Sequence, residues 1–165
     1  MLQEPDSINK KVVILSGGGS SSTVINLSET IRNVVAIKHI RTSATISSTV
    51  KNALQNTGIV PVFTKLNDYN LKEVYNTNND IIPVFSSLYF ETGSLESTAV
   101  SSKSNTTGII SDFRADVDNY VFNPLLPTLH KLQLDFVDDQ GNSVELQEFL
   151  IELCIYSTNA KLTMN

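Results

Sequence analysis

Between residues 11 and 156 the chain keeps returning to short runs of Val, Ile, Thr, Phe and Tyr, each broken off by a cluster of Gly, Ser, Asn, Asp or Pro. β-Branched and aromatic side chains pack well on a pleated surface, and the interrupting residues supply turns. The pattern therefore predicts a sandwich or barrel of about eight strands, not a helical bundle.

Lys11 to Leu15 reads as the first strand, Ser16 to Ser22 as a loop, and Thr23 to Leu27 as a second strand. Ile31 to Ser48 reads as one long strand or two joined by a bend, because Val35, Ile37 and His39 alternate with Ala36, Lys38 and Ile40. Ile59 to Leu66 and Asp80 to Phe90 are further strands, separated by a polar turn region, and Pro61 and Pro83 push them towards sheet edges or strand starts. Ser94 to Thr107 has no apolar period and is expected to be an exposed loop or irregular edge. In Leu132 to Phe136 apolar and polar side chains alternate strictly, and Asp138 to Asn142 then supplies a turn. A short return strand at Ser143 to Leu146 and a central strand at Phe149 to Tyr156 complete the set. Only Ser48 to Gln55 and Leu125 to His130 carry signals for a turn or two of helix. The expected core contains Val13, Leu15, Val35, Ile37, Leu132, Leu134, Phe136, Ile151 and Leu153.

Composition narrows the function classes. A net charge of −5 argues against a broad phosphate-binding surface, so direct nucleic-acid binding is not expected. Cys154 is the single cysteine, which rules out an internal disulfide and a Cys-rich metal site; between Leu153 and Ile155 it reads as a packing residue. No run of about eighteen apolar residues occurs, and Met1 to Lys11 has no apolar signal core, so neither a membrane span nor a cleaved signal is expected.

Several motifs invite chemistry. Gly17 to Thr23 follows a strand and is glycine-rich, as phosphate-cradling loops are. It lacks the lysine of a Walker loop and leads into β-branched residues where an anion-binding helix should start, so it is read as a connecting loop. His39 and His130 are too few, and not spaced, for a metal centre. Asp135, Asp138, Asp139 and Glu145 lack the ligand spacing of a calcium loop and read as a solvated hairpin turn. No Gly-x-Ser-x-Gly elbow accompanies the many serines. No cofactor and no catalytic residue are assigned, and the chain is not expected to be an enzyme. The residues assigned to partner contact are Leu2 in the N-terminal segment, the aromatics Tyr69, Tyr75 and Tyr120, and Arg114 in the mixed-charge run Asp112 to Asp118.

Pro127 to Asn142, in which a proline and apolar residues lead into a strand and an aspartate-glycine turn, resembles a stretch of the minor capsid proteins of large icosahedral DNA viruses. Glu148 to Leu153 is similar to that family's closing strand, and Ile25-Asn26-Leu27 with Ile31 to Ile37 looks like its early strands. The resemblance implies a jelly-roll β-sandwich beneath or between capsomers, in the virion shell assembled in the host cell. It implies contact with the major capsid protein and other minor capsid proteins, and no catalytic residues.

The expectation from sequence is thus an all-β, single antiparallel β-sandwich, jelly-roll-like, over residues 11–157, with an N-terminal arm over 1–10 and a C-terminal tail over 158–165. Its expected role is structural, with possible self-association. The alternatives are a ligand- or carbohydrate-binding β-sandwich module and a nucleotide-binding α/β protein using Gly17 to Thr23.

Overall fold

The computed structural model describes residues 8–47, 59–91, 106–107, 109–110 and 119–159. Among them every regular element is a strand: β1 (Ile8–Gly17), β2 (Ser22–Ser47), β3 (Ile59–Leu66), β4 (Lys72–Tyr75), β5 (Ile81–Val84), β6 (Ser86–Glu91), β7 (Thr106–Thr107), β8 (Ile109–Ile110), β9 (Asn119–Val137) and β10 (Glu148–Thr158). All pairings are antiparallel, and the main sheet runs β1-β10-β2-β9-β3-β6-β8, with β7 on the far end of β2. The pairs β1·β10, β2·β9 and β3·β6 nest inside one another, so the chain is one long antiparallel ribbon. The additional ladders β10·β2 and β9·β3 arise where that ribbon is rolled onto itself, which is the winding logic of a jelly roll. The fold is all-β and sandwich-like, with a curled sheet wrapped around the main core.

The inward residues follow from strand alternation. Val13 and Leu15 of β1 meet Phe149, Ile151, Leu153 and Ile155 of β10; Leu132, Leu134 and Phe136 of β9 and Val62 and Leu66 of β3 complete the opposite wall. Phe136 and Phe149 pack edge to face with centroids 4.9 Å apart, at the favoured separation for such pairs.

β2 is long because bulges bend it. Opposite β10, Val34 pairs with Ser157 and Ala36 with Tyr156, so Val35 is an extra residue. A second irregularity follows, with His39 opposite Leu153 and Arg41 opposite Glu152, leaving Ile40 over. Each extra residue reverses the inward phase, so Ile31, Val34, Ile37, His39, Thr42, Ala44 and Ile46 are buried although no single period joins them. Val35 is therefore half-buried, not core as its spacing suggested, and Val34 takes the inward place.

Other expectations are corrected. Leu125 to His130 is not helical but lies inside β9, whose ladder to β2 pins Leu126 against Val34 and Leu129 against Ile31. Ile8 to Lys10 are not a free arm; they are the first residues of β1, paired with Thr158, Ser157 and Tyr156, and Thr158 likewise belongs to β10, not to a tail. Asp80 to Phe90 is split into β5 and β6 at Phe85, whose amide turns to donate to the Thr64 carbonyl at 2.7 Å. Ser143 to Leu146 makes two isolated bridges, Ser20 with Leu146 and Val137 with Ser143, instead of a strand. The supposed turn region between β3 and β5 holds β4. Ser48 to Gln55 and most of Ser94 to Thr107 lie outside the described residues, with Thr106 and Thr107 forming β7.

Pro83 is on an edge as expected, but Pro61 is not: it lies in β3, between β9 and β6, and pairs with Tyr89. Pro61 precedes the stretch of β3 that pairs with β9, and Pro83 lies in the two-stranded sheet β4-β5. The glycine-rich loop is closed onto its own chain. The Gly19 amide donates to the carbonyls of Leu146 (2.9 Å) and Gln147 (3.1 Å), and the approach is so close that a Cβ on Gly18 would stand 2.5 Å from the Gln147 oxygen. Amides that a phosphate would need are thus already engaged.

Candidate docking surfaces

Among the described residues, two exposed apolar surfaces and a polar cleft stand out as features a ligand or partner could use. The first is the hairpin of β4 and β5. Its inner side chains, Val74, Ile82 and Val84, pack on Phe63 of β3 and Val137 of β9. Those two residues point away from the main core, because Val62 and Phe136 beside them point into it. The hairpin therefore forms an extra layer on the outer face of the sheet. Its own outer face holds the cross-strand pairs Tyr75 with Ile81 and Glu73 with Pro83. Tyr75 is 66% exposed, Ile81 52% and, just before β4, Leu71 64%. The Tyr75 hydroxyl donates to a Glu73 carboxylate oxygen at 3.0 Å, and this bond, reinforced by the Glu73 charge, raises the phenol above its ordinary pKa.

The hairpin is braced by asparagine chemistry at its tip. Asn79 has φ 63°, the left-handed conformation that asparagine tolerates, and the Asn76 side chain accepts from the amides of Asn78 (2.9 Å) and Asp80 (3.1 Å). Asn76 also donates to the Asp139 carbonyl and Asn78 to the Gln140 side chain, tying the tip to the turn that follows β9. In that turn Asp138 accepts from the amides of Gln140 and Asn142, both at 2.9 Å, and Gly141 has φ 83°. The Asp138 carboxylate thus organises a turn, as the sequence suggested.

The second surface is the outer face of β1, β10 and the second half of β2. Ile8, Val12 and Ile14 are each more than half exposed there, and Leu150 joins them on β10. The ladder places Lys10 opposite Tyr156, with its ammonium 5.7 Å from the ring centroid. Val12 stands opposite Cys154, and Cys154 opposite Lys38 of β2. Arg41 reaches Glu152 at 3.8 Å. Burial, then the hydrogen bond and charge of Cys154, raise the Tyr156 phenol. The free edge of β1 is faced by the β2 bulge near Leu27 to Ile31, and Lys11 pairs with Glu29 across the gap at 3.5 Å. Covering and charging an edge in this way blunts its tendency to add further strands.

The third feature is an open cleft of about 450 Å³ lined by Asn67, Tyr69, His130, Lys131, Gln133 and Asp135, among others. It exists because the β3·β9 ladder stops at Leu66 and Leu134. Asn67, with φ 45°, then continues the pairing: its amide donates to the Gln133 carbonyl (2.9 Å), its side-chain oxygen accepts from the Gln133 amide (2.6 Å), and its side-chain nitrogen donates to the Lys131 carbonyl (3.0 Å).

The residues assigned to contact from sequence fall into three groups. Tyr75 stands on the exposed hairpin face. Tyr69 and Tyr120 are half-buried and form a cluster with Phe122, all three centroid distances lying between 4.8 and 5.2 Å. Burial, only partly offset by a hydrogen bond from Asn67, raises the Tyr69 phenol. Leu2 and Arg114 lie outside the described residues. The structure does not bring Tyr75 together with Tyr69 and Tyr120. Sequence reasoning missed Ile81 and Pro83, which only the pairing with β4 reveals, and the exposed row Ile8, Val12 and Ile14.

The two histidines are separate. His130 is exposed in the cleft, whereas His39 is buried, with its Nε2 2.6 Å from the Thr42 hydroxyl. Burial lowers the His39 pKa to about 4, against the opposing effect of a backbone hydrogen bond at Arg41. Among the described residues no three His, Cys, Asp or Glu side chains gather closely enough to hold a metal ion, and no helix is long and apolar enough to cross a membrane. A scan against protein-family models finds no match, and a search of curated proteins finds none either.

Proposed function

We propose that this chain is a structural, protein-docking component of an icosahedral virus shell, a minor capsid protein that binds the major capsid protein and other minor capsid proteins. The observation that carries the docking part is the β4-β5 hairpin, which buries one apolar face on the sheet and leaves Leu71, Tyr75, Ile81 and Pro83 outward. Exposed aromatic and aliphatic side chains on a rigid support are the usual anchors of protein interfaces. A second apolar surface, on β1 and β10, lets one chain hold two neighbours, which is what cementing a shell requires. Repetition over a symmetric lattice turns modest contacts into strong retention. The shell itself enters from the resemblance of Pro127 to Asn142 and Glu148 to Leu153 to the capsid family.

The rival reading, a small-ligand module, would use the cleft at Asn67 and Tyr69. Against it, the polar atoms of Asn67 are occupied by β9 and the Tyr69 ring by Tyr120 and Phe122.

The test is co-expression with the major shell protein of the same genome, followed by purification of assembled particles. The wild-type chain is expected to sediment with the particles, and a Tyr75→Ser, Ile81→Ser variant with an unchanged circular dichroism spectrum is expected to be lost from them. A folded wild-type chain that stays wholly outside the particles overturns the reading.

A further inference from the structure

The two apolar surfaces differ in charge. The hairpin face and the turn tied to its tip carry Glu73, Asp80, Asp138 and Asp139, while the one lysine of β4, Lys72, points inward and donates to the Ser87 hydroxyl at 2.8 Å. The outer face of β1, β10 and β2 carries Lys10, Lys38 and Arg41 against Glu148 and Glu152; Arg41 is matched by Glu152 and Glu148 stands at the Leu150 end, so the basic charge gathers where Lys10 and Lys38 flank Tyr156. A chain of net charge −5 thus keeps a basic, apolar patch on one edge of its sheet order and an acidic, apolar patch mounted on β3 and the end of β9. Each offers an aromatic side chain beside aliphatic ones: Tyr75 with Ile81 on the acidic side, Tyr156 with Val12 on the basic side.

We infer that the occupant of the acidic hairpin face is the basic β1-β10-β2 face of a second copy of this chain, giving a head-to-tail contact. The inference rests on the reading of both faces as docking surfaces and adds the identity of one partner. Because the two faces are different patches of the same molecule, the contact is heterologous. Each copy that docks leaves one acidic and one basic face open, so association propagates into rings or open strings instead of stopping at a symmetric pair. Opposite patch charges steer the encounter and fix which faces meet, while the apolar side chains between them supply the area removed from water.

The test uses sedimentation velocity on the full chain over a range of concentrations and salt. Wild type is expected to form species larger than a dimer at low salt and to dissociate towards monomer as the screening length falls from about 10 Å at 0.1 M to about 3 Å at 1 M. Lys10→Glu with Lys38→Glu makes both faces acidic, and Glu73→Lys, Asp80→Lys and Asp139→Lys together make both basic; each variant alone should associate at least about tenfold more weakly. Mixing the two variants in equal amounts should restore the larger species, because every acidic face again has a basic one to meet. Circular dichroism and thermal melts on each variant identify any that fail to fold, and Arg41→Glu replaces a failing basic-face substitution. A wild type that is monomeric at all salts, or variants whose mixture associates no better than either alone, overturns the inference. A monomeric chain that still enters shells rejects self-association while leaving the docking role intact; a self-associating chain excluded from shells does the reverse.

Discussion

Acidification should weaken this fold through one side chain. His39 is buried between the bulges of β2, and its pKa is lowered from 6.5 to about 4. Above pH 6.5 the ring is neutral in both the folded and the unfolded chain, so the shift has no effect there. As the pH falls below 6.5 the unfolded chain takes up a proton that the folded chain refuses until about pH 4, and stability drops across that window. The two pKa values give a loss of about 2 kcal/mol by pH 5 and about 3 kcal/mol by pH 4. With a urea dependence of roughly 2 kcal/mol per molar for a chain of this size, the unfolding midpoint should fall by about 1 M between pH 7.5 and pH 5. The assay is equilibrium urea unfolding at those two pH values for wild type and for His39→Gln, which keeps a polar group near Thr42 but cannot titrate. The variant is expected to be less stable at pH 7.5 yet to lose much less on acidification. An equal fall in midpoint for both proteins would refute the assignment to His39.

Two further substitutions test the loops. Gly18→Ala should cost more than about 2 kcal/mol, because the new Cβ meets a backbone oxygen that cannot move without breaking the Gly19 bonds; Gly19→Ala, in open space with φ 65°, should cost only about 1 kcal/mol, and chemical denaturation ranks them. Asn67→Ala should cost about 1–2 kcal/mol by removing both side-chain bonds to β9 and should raise amide hydrogen exchange at Gln133 selectively, whereas uniform exchange across β9 would contradict the idea that Asn67 extends the ladder.

Where alternation is uninterrupted, the fold was legible. Leu132 to Phe136 alternates in the sequence and in the structure, and the turn after it uses Asp138 and Gly141 in the roles their chemistry suggests. The inward phase of β2 was not legible, because the extra residues Val35 and Ile40 are defined by what β10 offers opposite them, not by their own side chains. Leu125 to His130 was misread because Pro124 and Pro127 argue locally against a strand, whereas the β2·β9 ladder accommodates Pro124 in a stretch where Val121 and Leu126 pair but the residues between them do not. The candidate surfaces were half legible. Tyr75 stood out as an aromatic among polar residues, but its exposure follows from pairing with Ile81, and Tyr69 and Tyr120 looked the same in sequence while packing together. Val13 and Leu15 are expected in the core from the sequence, but Val12 and Ile14 are equally apolar in the run Val12 to Leu15, and that their face is open depends on what the sheet leaves uncovered.

The nesting of the ribbon sets a schedule for folding. Among the described strands β1 pairs with β10 alone, and β2 pairs over most of its length with β9 and β10, so β1 and β2 must wait for strands made much later before they can bury their inner faces. Contacts between segments so far apart in sequence place the fold among the slow ones, on the order of milliseconds to seconds. While the ribosome is still making β9, the apolar run Val12 to Leu15 and nearly all of β2 lack the strands they pair with. A cell that makes this chain therefore carries, until β10 has emerged, a nascent segment ready to pair with the wrong neighbour, and the yield of native protein is decided in that interval.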